Sequence, residues 1–366
     1  MFKKFMVLFL ILSSIPVYAK CQAPSVSAKA AVVIEADTGN IVYSKNHNQK
    51  LPMASTTKIM TAICAIENTN TNIPITVSDK AVGIEGSSIY LKKNEVITIK
   101  ELLYGLMLNS GNDAAVAIAV AVSGTVKDFA ELMNKTAQNI GAKNTSFTNP
   151  SGLYEENHYT TAWDLALISA YAMKNPLFRE IVSTKEQKIS NNPGNRYLKN
   201  HNKLLRMYEG CIGVKTGYTK KCGRCLVSAA QKDGVTLVAV TLNAPDDWTD
   251  HTKMLDYGFS KTKKEVIAKE GEYATSVNNY GVDIPLFFDE SIEVSTSAKK
   301  NLTVEYSLKN NVDLPVNQGQ ELGKIKFLHK GNTVAHSGLI PLDYVPAIPK
   351  RSFKNVFLQM IKSFVS

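Results

Sequence analysis

Three short polar motifs follow one another along this chain of 366 residues. The first is S-x-x-K at residues 55–58, the second is S-G-N at residues 110–112, and the third is K-T-G at residues 215–217. Each motif alone occurs by chance in many proteins. Together and in this order they indicate a serine hydrolase in which a lysine, instead of a histidine, accepts the proton of the nucleophile.

The first motif supplies a nucleophile and a base. Serine is a weak nucleophile until a neighbouring base takes its proton. Ser55 and Lys58 are three positions apart on a predicted helix, so their side chains share one face, and Ser55 lies at the positive end of the helix dipole. Lys58 must be neutral to act as a base, and both burial and the charge of Lys215 would lower its pKa. We expect Ser55 to be the nucleophile and Lys58 the general base.

The second motif lies on a predicted turn between helices at residues 99–108 and 113–122. From this turn Ser110 can relay a proton between Lys58 and the leaving group, and Asn112 can bind a substrate amide. Serine and asparagine also cap ordinary helices. The catalytic interpretation of this motif therefore depends on the presence of the other two.

The third motif falls on a predicted strand beside the site. An edge strand can hold an extended peptide through main-chain pairing, and Gly217 lets the backbone approach closely. Lys215 and Thr216 can engage a terminal carboxylate. The backbone N–H groups of Ser55 and Tyr218 would form the oxyanion hole, because a tetrahedral intermediate needs donors that are already in place.

The segments around the motifs show helix and strand patterns. Residues 30–34 and 40–43 predict a hairpin, and residues 55–67 are apolar nearly all round, which predicts a buried helix. Three further strands follow as a meander, at residues 211–219, 225–231 and 235–242. A closing helix is predicted at residues 251–259. This order predicts an α+β fold, in which helices pack around an antiparallel sheet.

The chain begins with the pattern of an export signal. Lys3 and Lys4 precede an apolar run at residues 5–12, and residues 17–19 supply a small-residue exit. The run is shorter than the ~20 residues of a spanning helix. Residues 1–19 are predicted to be a signal peptide, and cleavage after Ala19 removes its two lysines and reduces the formal net charge from +10 to +8. This charge favours an anionic membrane or cell wall over nucleic acid, which would need a clustered basic stripe. Plain solubility is the simpler alternative.

The five cysteines form an odd set, which does not indicate a disulfide framework. Cys222 and Cys225 make one C-x-x-C, whose thiols neighbouring basic residues could acidify. Because Cys225 opens an apolar strand, a structural role is favoured over a redox role. The chain has no second C-x-x-C and no H-E-x-x-H, so we predict no metal site and no cofactor.

The C-terminal third has a different pattern. Residues 263–345 contain alternating runs separated by Gly, Asn and Pro turns, which predicts a small all-β domain. Beyond a proline linker, residues 350–366 predict an amphipathic helix with Phe353, Phe357 and Phe364 on its apolar face. Such a helix suits a membrane interface. Docking on its own domain or on a partner protein is the alternative.

Residues 24–260 resemble the low-molecular-mass penicillin-binding D-alanyl-D-alanine carboxypeptidases. Besides the three motifs, the resemblance rests on residues 51–54, 149–153 and 223–229. It implies a β-lactamase/transpeptidase-like catalytic domain, followed by the β-rich domain and a membrane anchor. It also implies that Ser55 attacks the bond between the two terminal D-alanines of a peptidoglycan stem peptide, and that water hydrolyses the acyl-enzyme. β-Lactams would trap Ser55, and the expected location is the outer face of the cytoplasmic membrane.

Two features depart from the family pattern. Some relatives carry arginines near the cleft that help to hold the terminal carboxylate. Here residues 200–202 contribute a histidine and residues 246–248 two acidic side chains. The contact must therefore rest on Lys215, Thr216 or another group. Cys222 also stands where a small residue is expected, and nothing in the sequence explains it.

Three alternatives remain open. A class A β-lactamase shares the fold and S-x-x-K, but it usually carries S-D-N and needs a glutamate in an E-x-x-x-N loop. Here Glu155 and Glu156 precede Asn157 at the wrong spacing. A β-lactam sensor or a wall-binding scaffold would be acylated without turnover, and it would use the same residues. An endopeptidase that cuts D-Ala crosslinks would use the same chemistry in a differently shaped cleft.

Overall fold

The computed structural model describes residues 22–191, 194–279, 282–309 and 312–346. The predicted signal peptide, residues 1–19, and the predicted C-terminal helix, residues 350–366, lie outside the described residues. Within the described part, no helix combines the length and the apolar character needed to cross a lipid bilayer.

Helices and strands are mixed as far as residue 261, and strands dominate from residue 264 onward. The helices are α1 (Lys58–Asn68), α2 (Ile99–Leu108), α3 (Asn112–Ser123), α4 (Val126–Ile140), α5 (Ala162–Met173), α6 (Pro176–Ser183), α7 (Leu204–Met207), α8 (Asp247–Lys261) and α9 (Thr296–Lys299). The strands are β1 (Ala30–Glu35), β2 (Ile41–Lys45), β3 (Pro74–Thr76), β4 (Val96–Thr98), β5 (Glu186–Asn191), β6 (Gly194–Lys199), β7 (Cys211–Thr219), β8 (Gly223–Lys232), β9 (Val235–Leu242), β10 (Lys264–Ala268), β11 (Tyr273–Asn279), β12 (Val282–Phe288), β13 (Ile292–Ser295), β14 (Leu302–Leu308), β15 (Gly323–His329) and β16 (Asn332–Ile340). A 3-10 turn at Ala54–Thr57 leads directly into α1.

An antiparallel sheet in the order β2-β1-β9-β8-β7 forms the centre of the larger part. Every residue of β1 is buried. Ala30, Val32 and Ile34 pack into one apolar cluster with α1 to α6, whereas Ala31 and Val33 pack into a second cluster with α8. Because successive side chains of a strand point to opposite faces, helices cover both faces of the sheet. The predicted fold class, an antiparallel sheet surrounded by helices, is confirmed.

Local signals set the helices that carry the first two motifs. Helix α1 is buried along most of its length, as its apolar sequence predicts. Helix α2 begins with a capping box, in which Thr98 Oγ1 accepts from Glu101 N–H and the Glu101 carboxylate accepts from Thr98 N–H. It ends at Leu108, and α3 begins at Asn112. Ser110 and Gly111 therefore lie on a turn between two helices, as predicted, and Asn112 is the first residue of α3.

The predicted meander is present as β7, β8 and β9, with two shifted boundaries nearby. Strand β8 begins at Gly223, two residues before its predicted start, because the turn is tight and Thr219 pairs directly with Gly223. Helix α8 begins at Asp247, four residues before its predicted start. Asp247 and Asp250 in its first turn interact favourably with the helix dipole. The two shifts place Arg224 and Asp247 in regular structure next to β7.

The cysteines within the described ranges are free thiols. Cys222 and Cys225 are both buried, and burial raises the pKa of Cys225 to about 12. A redox-active thiol needs the opposite shift, because its thiolate is the reactive form. These observations agree with the structural role that the sequence favours.

From β10 onward the chain folds as an all-β domain that includes the short helix α9. One sheet has the order β11-β12-β16-β15-β14, and β10 pairs with β13. Their facing apolar side chains form a separate core that includes Ile284, Leu286, Ile325 and Leu339. Ser295 Oγ donates to Glu35 Oε1 at 2.8 Å and so links this domain to the central sheet. The predicted β-rich domain is confirmed.

Candidate functional site

The three sequence motifs meet at a cleft of about 310 Å³ beside β7, the edge strand of the central sheet. Five of the predicted site residues line the cleft: Ser55, Ser110, Thr216, Gly217 and Tyr218. The other three are buried behind its surface: Lys58, Asn112 and Lys215. The lining also includes residues that the sequence did not identify as site residues: Ser87, His201, Arg224, Asp247 and Trp248.

Ser55 and Lys58 lie at the junction between the 3-10 turn and α1. The Nζ atom of Lys58 donates to Oγ of Ser55 at 3.0 Å, which is within the range for direct proton transfer. The residue before the nucleophile, Ala54, has a φ of +50°, a left-handed conformation that residues with a side chain rarely adopt. The predicted pairing across one helical turn is therefore present, although a 3-10 turn supplies the serine.

Three oxygen atoms surround the Nζ atom of Lys58, whose side chain is fully buried. Besides Oγ of Ser55, Nζ donates to Oδ1 of Asn112 at 2.7 Å and to the backbone oxygen of Ser151 at 2.6 Å. The three acceptors come from the nucleophile turn, from α3 and from the segment after α4. Together they hold the lysine beside the serine.

The buried lysine pair has unusual electrostatics. Burial lowers the pKa of Lys58 well below its ordinary value, the charge of Lys215 lowers it further, and Asp113 acts in the opposite direction. Burial also lowers the pKa of Lys215, to about 7. A lysine whose protonated form is disfavoured in this way can be neutral near pH 7 and can act as a base.

The second motif has one residue facing the cleft and one facing Lys58. Ser110 lines the cleft from a left-handed backbone position, with a φ of +61°. Asn112 accepts from Lys58 through Oδ1 and donates to the backbone oxygen of Glu85 through Nδ2 at 2.6 Å. Protein groups therefore engage both ends of the Asn112 amide. Its predicted contact with a substrate amide stays a prediction.

Gly217 allows β7 to lie directly against the nucleophile turn. A Cβ atom at this position would lie 3.0 Å from the amide nitrogen of Ser55 and 3.1 Å from that of Thr56. Such contacts are tighter than nearly all real Cβ contacts, so a side chain here would push the turn away. The amide nitrogen of Ser55 thus lies against β7, where Tyr218 follows Gly217.

Residues 149–153 form the wall behind Lys58. Oδ1 of Asn149 accepts from the backbone N–H groups of Ser151 at 3.2 Å and of Gly152 at 2.8 Å, as in an Asx turn. Gly152 has a φ of +84°, and a Cβ atom there would lie 1.9 Å from the Ala54 oxygen. The sequence indicated this segment only through its family resemblance, because the Ser151 contact to Lys58 spans 93 residues.

Arg224 is a cleft residue that the sequence interpretation missed. It lies opposite Tyr218 in the pairing of β7 with β8. Its Nε and Nη2 atoms lie 3.0 and 2.8 Å from Oδ1 of Asp247, and its Cζ atom lies 5.7 Å from the centre of the Trp248 ring. The family resemblance directed attention to residues 200–202 and 246–248, and neither segment contains an arginine. The register of the hairpin would have identified residue 224.

His201 also lines the cleft, from the segment that follows β6. Its backbone N–H donates to the Leu108 oxygen at 3.3 Å, which ties the segment to the end of α2. Desolvation and the charge of Lys215 lower the pKa of His201. Both effects favour the neutral imidazole.

Comparison with known proteins matches residues 18–246 to peptidase S11, D-alanyl-D-alanine carboxypeptidase, and residues 256–354 to the penicillin-binding protein 5, C-terminal domain. D-alanyl-D-alanine carboxypeptidase DacF of Bacillus subtilis is 37% identical over 326 residues, 85% of this chain and 84% of its own. The structure of penicillin-binding protein 5 from Haemophilus influenzae has a TM-score of 0.64 at 27% identity, covering 89% of this chain and 99% of that one. A mutant of the Streptomyces K15 DD-transpeptidase has a TM-score of 0.62 at 34% identity, covering 65% of this chain and 99% of that one. The chain therefore belongs to the peptidase S11 family of D-alanyl-D-alanine carboxypeptidases and carries a C-terminal domain of the penicillin-binding protein 5 type.

Proposed function

We propose that this serine peptidase removes the terminal D-alanine of peptidoglycan stem pentapeptides through an acyl-enzyme on Ser55. Lys58 accepts the hydroxyl proton while Oγ of Ser55 attacks the carbonyl carbon of the penultimate D-alanine. The C–N bond then breaks, and the leaving amine takes a proton that Ser110 relays from Lys58. Water attacks the ester with Lys58 as the base, and the shortened peptide leaves as Ser55 regains its proton.

One observation carries this proposal: Nζ of the fully buried Lys58 lies 3.0 Å from Oγ of Ser55, at the base of the cleft. Burial and the charge of Lys215 favour the neutral form of Lys58, which is the form that a general base needs. Asn112 and Ser151 support the same role, because their oxygens hold Nζ in place.

The substrate would lie along β7 in an extended conformation, since β7 is an edge strand that can pair with another chain. Lys215 and Thr216 would engage its terminal carboxylate, and Asn112 an amide of its acyl part. The N–H groups of Ser55 and Tyr218 would stabilise the oxyanion. The close approach of Gly217 to the Ser55 amide supports this arrangement.

β-Lactams would inhibit the enzyme by the same chemistry. The ring amide takes the place of the D-Ala-D-Ala bond, and attack by Ser55 opens the ring. Because the leaving nitrogen stays attached to the acyl group, the product remains on the serine as an ester. Slow hydrolysis of this ester would trap the enzyme.

We further propose four segments: a signal peptide (1–19), a catalytic domain (24–260), a β-rich domain (263–345) and an amphipathic helix (350–366). The end of α8 at Lys261 and the start of β10 at Lys264 support the central boundary. The aromatic pattern of residues 350–366 and the basic charge support attachment to the outer face of the cytoplasmic membrane. Sedimentation with anionic vesicles tests this, because a chain that ends at residue 349 would stay in the supernatant.

Release of D-alanine from an acyl-D-Ala-D-Ala peptide tests the catalytic proposal. We expect steady release by the mature protein and none by Ser55→Ala. Ser183→Ala, at the end of α6, serves as a control and should release D-alanine at the wild-type rate. A folded wild-type protein that releases none would disprove the carboxypeptidase proposal.

Two further measurements distinguish the alternatives. A sensor or scaffold would form a stable adduct with a fluorescent penicillin without turning over the peptide. An endopeptidase would cleave a D-Ala crosslinked dimer while leaving the pentapeptide intact. A β-lactamase would hydrolyse the penicillin rapidly, but among the residues that line the described cleft the one carboxylate, Asp247, is paired with Arg224.

A further inference from the structure

Arg224 is a cation at the cleft that the steps above do not use. It lies on β8 directly opposite Tyr218. Paired residues of neighbouring strands share one face of the sheet, and so do residues two positions apart on one strand. Arg224 therefore lies on the same face as Thr216, and both line the cleft with the nucleophile. Its side chain remains 41% exposed.

The guanidinium group has donors to spare. Arginine carries five N–H donors in a planar fork. Nε donates its N–H to Oδ1 of Asp247 at 3.0 Å, and Nη2 forms an ion-pair contact with the same oxygen at 2.8 Å. Among the described residues, no other hydrogen bond or ion pair involves this guanidinium, so its Nη1 edge is open to the cleft. An arginine that only stabilised the fold through Asp247 would not need this open edge at the cleft.

Asp247 and Trp248 hold the guanidinium in one orientation. The Asp247 side chain is 4% exposed, and its Oδ1 also accepts from the backbone N–H of Trp248 at 3.0 Å. The Trp248 ring centre lies 5.7 Å from Cζ of Arg224, a distance at which the ring and the cation attract each other. One edge of the guanidinium is thus fixed on α8, and the other edge is left for a ligand.

We propose that Arg224 recognises the terminal carboxylate of the substrate and that Asp247 is the positioning residue that orients it. This inference rests on the proposed function, because it assumes a peptide that ends in a free carboxylate. A guanidinium binds a carboxylate through two parallel N–H groups, which gives strength and fixes direction. Thr216, on the same face, would donate its hydroxyl to the same carboxylate.

The other cations near the cleft, including Lys215, which would engage the same carboxylate, supply less permanent charge to this contact. Lys215 is buried, its Nζ donates to the Thr216 oxygen at 2.8 Å, and burial lowers its pKa to about 7. It is therefore only partly charged at neutral pH. Desolvation and the charge of Lys215 lower the pKa of His201 and favour its neutral form. Arg224 stays charged at every relevant pH and supplies the permanent positive charge that an anionic substrate needs.

A pair of substrates tests the inference: an acyl-D-Ala-D-Ala peptide with a free carboxylate and its C-terminal amide. We expect the wild type to prefer the acid, and R224Q to lower the acid-to-amide ratio of kcat/KM by about 10- to 100-fold, the usual value of a charge-assisted hydrogen bond. R224K keeps the positive charge but loses the two parallel N–H groups. Its acid-to-amide ratio should therefore lie between those of the wild type and R224Q. R206Q, which removes an arginine paired with Glu186 on the surface, is the matched control.

Asp247 has a separate readout. D247N keeps Arg224 charged but weakens its orientation, so KM for the acid should rise while kcat changes by less than about threefold. An unchanged acid-to-amide ratio in R224Q would overturn the inference, and so would an equal loss on both substrates, which would mean a structural role. A wild type that cleaves neither peptide, releasing no D-alanine from the acid and no D-alaninamide from the amide, would disprove the proposed function, and the inference with it.

Discussion

Nζ of Lys58 donates to Oδ1 of Asn112 at 2.7 Å, while Nδ2 of Asn112 is held by the Glu85 oxygen at 2.6 Å. The second motif therefore contacts the base of the first motif directly. A neutral amide at this position holds Lys58 while favouring its protonated form less than a carboxylate would. Burial and the charge of Lys215 lower the pKa of Lys58, and Asp113 acts in the opposite direction.

Asn112→Asp should move the pH dependence of acylation. A carboxylate beside Nζ favours the protonated lysine and raises the pKa of Lys58. Since the base must be neutral, the rising limb of acylation rate against pH should move to higher pH, and the rate at pH 7 should fall. Stopped-flow acylation by a chromogenic β-lactam measures both. Asn139→Asp, on the exposed side of α4, adds the same charge elsewhere and should leave the profile in place. An identical profile in both variants would contradict this role of Asn112.

Gly152→Ala should damage the nucleophile turn. The new Cβ would lie 1.9 Å from the Ala54 oxygen, and Gly152 has a φ of +84°. Gly39 has a similar φ of +67° but open space around it, so Gly39→Ala reports the backbone strain alone, about 1 kcal/mol. We expect Gly152→Ala to slow acylation at least tenfold and Gly39→Ala to leave it near the wild-type rate. Equal rates for the two variants would show that the contact with Ala54 is unimportant for catalysis.

Arg196→Ala should destabilise the loop that carries Ser87. Nη1 and Nη2 of Arg196 contact the two carboxylate oxygens of Glu95 at 2.5 and 2.8 Å, and the Glu95 side chain is fully buried. Removing Arg196 takes the guanidinium from a buried carboxylate that keeps the backbone contact from Lys92 N–H, so the free energy of unfolding should fall by about 3 kcal/mol. Urea denaturation measures it. The exposed pair of Arg206 with Glu186 provides the control, since Arg206→Ala should cost less than about 1 kcal/mol.

The stability of the protein should fall in acid partly because of His251. Burial lowers the pKa of His251 to about 3, and its ring contacts Ser228 and Thr241. The unfolded chain, with a pKa near ~6.5, binds a proton that the folded chain excludes. This contribution is complete above pH ~6.5 and is lost at ~1.4 kcal/mol per pH unit as the pH falls towards the folded pKa.

Unfolding free energies at several pH values between 4 and 7 check this slope. His251→Gln has no titrating group at the position. The slope of its unfolding free energy against pH should therefore be smaller by the contribution of about one proton. The comparison uses slopes, because the substitution itself will lower the absolute stability. Parallel curves for the two proteins would rule out His251 as the source.

Short motifs and local periodicity were enough to predict the main elements. The apolar pattern after Ser55 predicted the buried helix α1, and the alternating runs predicted β7 to β9 and the C-terminal β domain. The order of the three motifs indicated the enzyme class and the family. These features depend on neighbouring residues and on backbone geometry, which repeats every two or 3.6 residues.

The contacts that complete the site depend on how distant segments pack. The Ser151 oxygen reaches Lys58 because Gly152 lets its segment lie against Ala54. Arg224 faces the cleft because of the register of a hairpin, and the start of α8 at Asp247 fixes its guanidinium. Register and packing are set by the whole core, since a shift of one residue turns every side chain of a strand to the other face.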